Sequence, residues 1–402
     1  MIRTRFLMLL PFYALLIIFT GQEAFSQSNL RDEPAYVGSN SGQPFLAARP
    51  NGGVFLSWIE KSGEALSSLK YAEWEDGAFG DPQTIASGEN WFVNWADVPS
   101  ITFVGADNIV AHWLEKSGDS RYAYGVRVAI STDRGASWSS PRWLHDDLSE
   151  TEHGFAVLQP TTSGDIVTAW LDGRKYATGT NEMSLRGRLI TTSGSLSEEK
   201  IIDPLVCDCC PMSATRRDDG SVVVAYRNRS RDEVRDIYTV TFDGTQWGEP
   251  VNVHSDLWTI AGCPVNGPSI DANQSGTIIS WFTMASGEPR VLAAFASPDG
   301  KSYSSPVQID TGRAVGRTST QMLDDGSALV LWIENTQDDF AILFVRRLSN
   351  QGLADPVAIG TIASSRSAGV PRMLVSGNIV HFAWTDAENG RIATRTIPLT
   401  DL

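Results

Sequence analysis

One pattern recurs seven times along the 402-residue chain: "GVFLSWIE", "NIVAHWLE", "DIVTAWLD", "SVVVAYRN", "TIISWFT", "SALVLWIE" and "NIVHFAWTD". Its aromatics, Trp58, Trp113, Trp170, Tyr226, Trp281, Trp332 and Trp384, stand 51 to 57 residues apart. Apolar, β-branched runs at so regular a period, bounded by Gly and Asp turns, are a β-propeller signal. Each repeat parses into four short strands. In the fourth, "MSATRR" leads through "DDGS" into the aromatic-ended strand, then "RDIYTVTF" turns at "DGTQW" into "EPVNVH". The expected architecture is all-β: a single propeller of seven four-stranded blades over residues 27–402, or six if one repeat is misparsed. The last repeat holds only three strands, and "EPAYVGS" near the N-terminus is expected to supply the fourth and close the ring.

The opening "MIRTRFLMLLPFYALLIIFTGQEAFSQS" has two arginines, an apolar run and small residues at Ala24 and Ser26. It reads as a signal peptide over residues 1–26, which implies a periplasmic or secreted protein with no transmembrane span once mature. With 47 acidic against 32 basic residues the net charge is −15, so nucleic acid is excluded as a partner.

Counting back from each aromatic brings the starts of three inner strands into register: His153, the cluster Cys207, Cys209 and Cys210, and Cys263. These fall on one rim of the central channel. In an oxidising compartment four cysteines favour disulfides, with one of the clustered thiols bridging to Cys263 and a second bond among the rest. A bridge between blades closes a loop of about fifty residues, worth roughly 3 to 4 kcal/mol. The alternative is a soft metal, copper or zinc, held by Cys207, Cys210 and Cys263 with His153; otherwise no cofactor is expected. Two residues after each aromatic stands a second ring, Glu60, Glu115, Asp172, Asn228, Thr283, Glu334 and Asp386, which reads either as a cation or sugar site or as strand-end caps. Blade 4 breaks that pattern with "YRNRSRDEVRD". Its Arg227 and Arg229 suit a carboxylate or sulfate, to which Arg174 and Arg317 could add.

Residues 131–138, "STDRGASW", fit the Asp-box pattern at Ser131, Asp133, Gly135 and Trp138, with weaker copies in "SPDGKSY", "TFDGTQW" and "WEDGAF". With these boxes and repeats, the chain resembles the sialidase-like (bacterial neuraminidase repeat) propellers. It looks closest to an exported bacterial subgroup carrying "EHGF", "WLDGR", "VCDCCP", "RDIY" and "GCPVNGP". The resemblance implies a ligand, an acidic glycan or other small molecule, on the axial face. The residues expected to hold it are His153, Asp172, Arg174, Arg227, Arg229, Asn266 and Arg317. The alternatives are a sialidase-type glycoside hydrolase and a thiol-based metal or redox protein. Sialidases of the superfamily use an arginine triad, a Tyr and Glu nucleophile pair and an Asp acid/base. That set does not map onto this chain, whose Arg49 stands in "AARPNG" rather than in Arg-Ile-Pro. For hydrolysis the candidates are Asp97, Asp172 and Glu334 as acid/base groups and Tyr226 or Tyr122 as nucleophile.

Overall fold

Seven short apolar runs, each too small to bury both its faces alone, stack around an axis in a computed structural model that describes residues 31–33, 37–50, 52–336 and 340–402. Blade 1 is Ser41–Ala48, Val54–Ser62 and Leu66–Glu75, whose outer edge pairs with both Ala78–Phe79 and Gln83–Gly88. Blade 2 is Ser100–Val104, Asn108–Lys116, Tyr124–Ser131 and Arg142–Trp143, and blade 3 is His153–Pro160, Ile166–Asp172, Met183–Ile190 and Lys200–Val206. Blade 4 is Ser213–Arg216, Val222–Arg227, Ile237–Phe242 and Val251–Asn252, and blade 5 is Ser269–Asn273, Gly276–Thr283, Arg290–Phe295 and Val307–Gln308. Blade 6 is Ala314–Met322, Ala328–Asn335 and Ala341–Ser349, edged by Gly352–Leu353 and Val357–Ile362. Blade 7 is Arg372–Ser376, Ile379–Asp386 and Arg391–Pro398.

An N-terminal strand closes the ring, as expected, but its position differs. Arg31–Glu33 pairs antiparallel with the last strand, Arg31 opposite Thr396 and Glu33 opposite Thr394, and so meets the expected "EPAYVGS" at Glu33, while residues 34–36 lie outside the described residues. The signal-peptide segment 1–26 lies outside the described residues. No helix among the described residues is long and apolar enough to cross a membrane.

The period has a packing cause. Each repeat aromatic sits in an apolar cluster with the blade before it: Trp113 with Phe55 and Ile59, Trp170 with Val110 and Leu114, Tyr226 with Ala169 and Leu171. Trp281 meets Val223, Trp332 meets Ile278, Trp384 meets Leu331, and Trp58 meets Ala383 of blade 7, so the packing also runs across the closure. Each indole removes on the order of 200 Å² from water, roughly 5 kcal/mol at about 25 cal/mol per Å². Because the second strands are covered on both faces, they read as unbroken apolar runs rather than as alternation, and in blade 3 all seven residues of Ile166–Asp172 are buried.

The Asp-box turn joins the third and fourth strands of blade 2. Asp133 accepts from the Ser137 backbone N–H (2.9 Å) and hydroxyl (2.6 Å), the Ser131 hydroxyl takes the Gly135 N–H (2.8 Å), and Gly135 has φ 89°. Trp138 packs on the cluster between blades 1 and 2. These bonds act locally on the turn.

Candidate functional site

Inner strands begin, and second strands end, on one face, so the links between blades gather there around a channel of about 910 Å³. The link at residues 89–99 carries Trp95 and Asp97, with an Asx turn in which Asn94 accepts the Ala96 N–H at 2.8 Å. Asp97 is buried against the start of blade 3. Its Oδ2 accepts the Phe155 N–H (2.8 Å) and lies 3.0 Å from the Tyr124 hydroxyl, which is also 2.8 Å from Glu152 Oε1. Phe92 stacks on the Tyr124 ring at 3.8 Å. The motif "EHGF" supplies three of these parts: Glu152, the Phe155 N–H, and Gly154, where a Cβ would stand 2.2 Å from Asp97 Oδ2.

A phenol has one hydrogen, so Tyr124 can donate to only one of its two carboxyl neighbours, and the other must itself carry a proton to make the second bond. Burial pushes Asp97 up to about 7 and Glu152 up to about 8, the latter helped by the charges of Asp97 and Asp208. Tyr124, buried between two carboxyls, is pushed well above its ordinary value. The three groups form a buried proton-sharing chain, of which Asp97 lines the channel.

The expected meeting of the cysteines is found. Cys207 Sγ lies 3.5 Å from Cys210 Sγ and 3.9 Å from Cys209 Sγ, and Cys209, Cys263 and Asp208 present ligand atoms within 4.8 Å of one another. All four are thiols. Gly267 explains the closeness of the two motifs, since a Cβ there would fall 1.8 Å from the Pro211 carbonyl oxygen. Hydrogen bonds from the Cys209 and Cys210 thiols, with Arg235 alongside, hold Cys207 well below the usual thiol range. Arg235 donates to Cys207 Sγ at 3.3 Å and lies 3.4 Å from Asp208.

Several residues expected to face a ligand serve the framework instead. His153 does not join the thiols: its Nδ1 faces the Thr151 carbonyl (3.2 Å), its Nε2 faces Asp147 (3.2 Å), and its ring stacks on His145 at 4.2 Å. No nitrogen is left to bind metal. Arg227 is 1% exposed and spends its donors on the carbonyls of Asn266, Arg235 and Phe282. Arg229 pairs with Glu233 at 2.6 Å, and Arg174 with Asp172 (2.6 Å) and Glu199 (2.8 Å). The Asn266 amide bridges the Val315 carbonyl and the Arg317 N–H.

Of the other hydrolase candidates, Asp172, Glu334 and Tyr226 are likewise engaged, and so is much of the second ring. Burial works to raise Asp172, but hydrogen bonds from Arg174 and the nearby His153 overcome it and keep the group low. Asp172 also accepts the Trp170 indole N–H (2.9 Å), and Glu334 accepts that of Trp332 (2.7 Å) while holding the Thr311 and Arg313 N–H groups. Blades 4 and 5 lack the acid two residues on and borrow one: Asp203 takes the Tyr226 hydroxyl (2.7 Å) and Asp256 the Trp281 N–H (2.7 Å). Tyr226 is fully buried, and the half-exposed Tyr122 lies on a rim loop. In these four blades the acids anchor the ring of aromatics.

Arg317 is held only in part: its Nη1 donates to the Ser365 (3.0 Å) and Gly369 (3.2 Å) carbonyls, and it has no carboxylate partner among the described residues. Its inner strand bulges after Gly316, as blades 1 and 3 do after Gly42 and Gly154, and the next residue takes positive φ: Gln43 54°, Phe155 53°, Arg317 55°. Its guanidinium lies 4.7 Å from the Trp95 ring centroid, and that of the exposed Arg366 lies at 5.9 Å. Arg317 and Arg372 line one small recess beside Asn266 and Gly267, and Arg372 also lines the channel. Burial pulls both down to about 10, with Arg366 adding repulsion at Arg317 and no carboxylate opposing it at either. The Arg372 Nε is buried without a partner. Trp95, Tyr124, Glu152, Asp208, Arg366 and Arg372 were not singled out from the sequence; Glu152 and Asp208 carried a signal, as members of "EHGF" and "VCDCCP".

No protein-family model and no curated protein matches this chain. Among solved structures, a PL25 ulvan lyase bound to GlcA(1-4)Rha3S is similar over 92% of this chain and 98% of its own, with TM-score 0.57 and 12% identity. A protein of unknown function from Dyadobacter fermentans gives TM-score 0.53 and 13% identity over 92% of this chain and 99% of its own. Sialidases match too, the Hadza microbial sialidase Hz136 at TM-score 0.47 and 15% identity over 73% of this chain and 63% of its own. The chain shares the β-propeller fold of such enzymes, as its sequence resemblance implied.

Proposed function

We propose that the axial face binds an acidic polysaccharide, with Arg317, Arg366 and Arg372 gripping a carboxylate or sulfate and Trp95 offering an apolar face to a sugar ring. The observation that carries this reading is the recess that Arg317 and Arg372 line together, where neither guanidinium has an opposing carboxylate in a chain of net charge −15. A guanidinium drawn partly out of water without a carboxylate is costly, and an incoming anion offsets that cost. The saccharide bound to the ulvan lyase, a uronate joined to a sulfated sugar, has the right chemistry to serve as a probe. Calorimetric titration with such oligosaccharides should give binding that weakens with salt and falls at least tenfold in Arg317→Ala. Equal binding of neutral oligosaccharides, or no change in Arg317→Ala, would overturn it.

A second reading, turnover of the same ligand, is favoured by the proton count at Tyr124. Elimination and hydrolysis both need one group that gives a proton and one that takes it, and Asp97, Tyr124 and Glu152 share protons near neutral pH. Tyr124→Phe breaks the chain while keeping the ring stacked under Phe92. It should lower turnover by about 10²-fold or more with binding little changed. Absence of unsaturated or reducing-end products from every acidic oligosaccharide bound would remove this second reading and leave the first standing.

A further inference from the structure

The proposed glycan site does not use the thiols, and their arrangement calls for its own explanation. Two links, each leading into an inner strand, converge where blade 4 meets blade 5, and the Gly267 to Pro211 contact fixes one against the other. Cys207, Cys209 and Cys210 lie within 4.8 Å of one another, and so do the ligand atoms of Asp208, Cys209 and Cys263, so Cys209 belongs to both sets. Sulfurs bonded tetrahedrally to a metal at about 2.3 Å lie about 3.8 Å apart, whereas a disulfide brings them to about 2.05 Å. The observed 3.5 and 3.9 Å are spacings of a coordination shell. We propose that Cys207, Cys209 and Cys210 hold one thiophilic d¹⁰ cation, Cu(I) or Zn(II), and that Cys263, already beside Cys209 and Asp208, swings in as the fourth ligand with Asp208 as an adjacent oxygen donor.

Ligand type excludes the hard cations, since sulfur-rich sets select copper and zinc over calcium and magnesium. The surroundings fit an outer shell: Arg235 donates to Cys207 Sγ and reaches Asp208, whose other oxygen lies 3.4 Å from the Tyr176 hydroxyl. Access fits as well. Cys263 is exposed and Cys209 half-buried, while Cys207 and Cys210 are buried, so an ion enters past Cys263. Each thiol that binds releases its proton to solvent, and no change of oxidation state is involved. The sequence already pointed to a soft metal on Cys207, Cys210 and Cys263, but with His153 where the structure puts Cys209.

The test uses the reduced full-length chain, titrated with Zn(II) and, without oxygen, with Cu(I). The proposal expects one equivalent of either or both, loss of all four thiols to a thiol-reactive dye on loading, their return with chelator, and sulfur neighbours in X-ray absorption. Cys209→Ser should weaken binding about 100-fold or more. Cys263→Ser, altering an exposed side chain, keeps the test valid if the first variant misfolds, and should weaken it at least tenfold. Binding of only one of the two metals identifies the occupant. Four reactive thiols that bind neither metal, unchanged affinity in both variants, or two disulfides in the native protein that cannot be reduced without unfolding would overturn the proposal.

Discussion

The two halves of the axial face treat charge in opposite ways. On the cysteine side, blades 3 to 5, nearly every charged group has its counterpart: Arg174 with Asp172 and Glu199, Arg229 and Arg235 with Glu233, Arg235 with Asp208. Its remaining guanidinium, Arg227, is saturated by backbone carbonyls. On the other side, at blades 6 and 7, Arg317 gives one nitrogen to the Ser365 and Gly369 carbonyls, Arg372 is partly buried, neither has an acid beside it, and Arg366 adds like charge. A buried ion pair satisfies itself and leaves nothing for a ligand. A guanidinium with no carboxylate beside it keeps charge attraction in reserve, and the proposed glycan site rests on that difference.

The contrast can be broken by substitution. Arg227→Ala strips the guanidinium from three buried carbonyls and from the face of Trp258, and should cost roughly 3 to 5 kcal/mol in denaturant unfolding. Arg317→Ala strands only the Ser365 and Gly369 carbonyls while giving up a charge that no carboxylate offsets, and should cost less. Equal losses would mean that both arginines are framework.

Between the two sides lies Asp97, raised from 3.8 to about 7 by burial. A carboxyl with a raised folded value favours the fold at low pH, and its contribution is lost as pH climbs from about 4 through about 7. Asp97→Asn should therefore gain stability relative to the parent over that window, by up to about 4 kcal/mol. Parallel stability curves for the two proteins between pH 4 and pH 8 would show that Asp97 is not held as argued.

Smaller effects sharpen the comparison further. In acidic-glycan binding, Arg317→Ala should lose at least tenfold, about 1.4 kcal/mol, while Arg229→Ala on the cysteine side should leave affinity unchanged. Because the Arg229 and Glu233 pair is only partly shielded, its removal should cost about 1 kcal/mol or less in unfolding. A drop in glycan affinity in Arg229→Ala alone would move the ligand to the other half of the face.

The ring of seven was legible because its cause is repetitive: one large aromatic per blade, packed on the blade before, forces one period on the sequence. Closure by an N-terminal strand was legible as a missing fourth strand, though its place, Arg31–Glu33, is set by pairing with Arg391–Pro398 and not by a strong local pattern. The approach of Cys263 to Cys207, Cys209 and Cys210 followed from blade register alone. Arg227 was misjudged because a sequence shows an arginine's charge but not the carbonyls that surround it. Of the two readings open for the acids two residues past the aromatics, a ligand ring or strand-end caps, Asp172 and Glu334 follow the second, turning to the indole N–H of their own strands. The pairing of Tyr124 with Glu152 and the stacking of Arg317 on Trp95 join residues of different blades with no fixed spacing, so no local pattern announces them.

The most direct test of the central claim is a crystal structure of the protein soaked with a sulfated, uronate-containing oligosaccharide. The account predicts a carboxylate or sulfate between Arg317, Arg366 and Arg372, with a sugar ring against Trp95. A saccharide seated instead over Arg229 and Glu233, or on the outer edge of a blade, would contradict it.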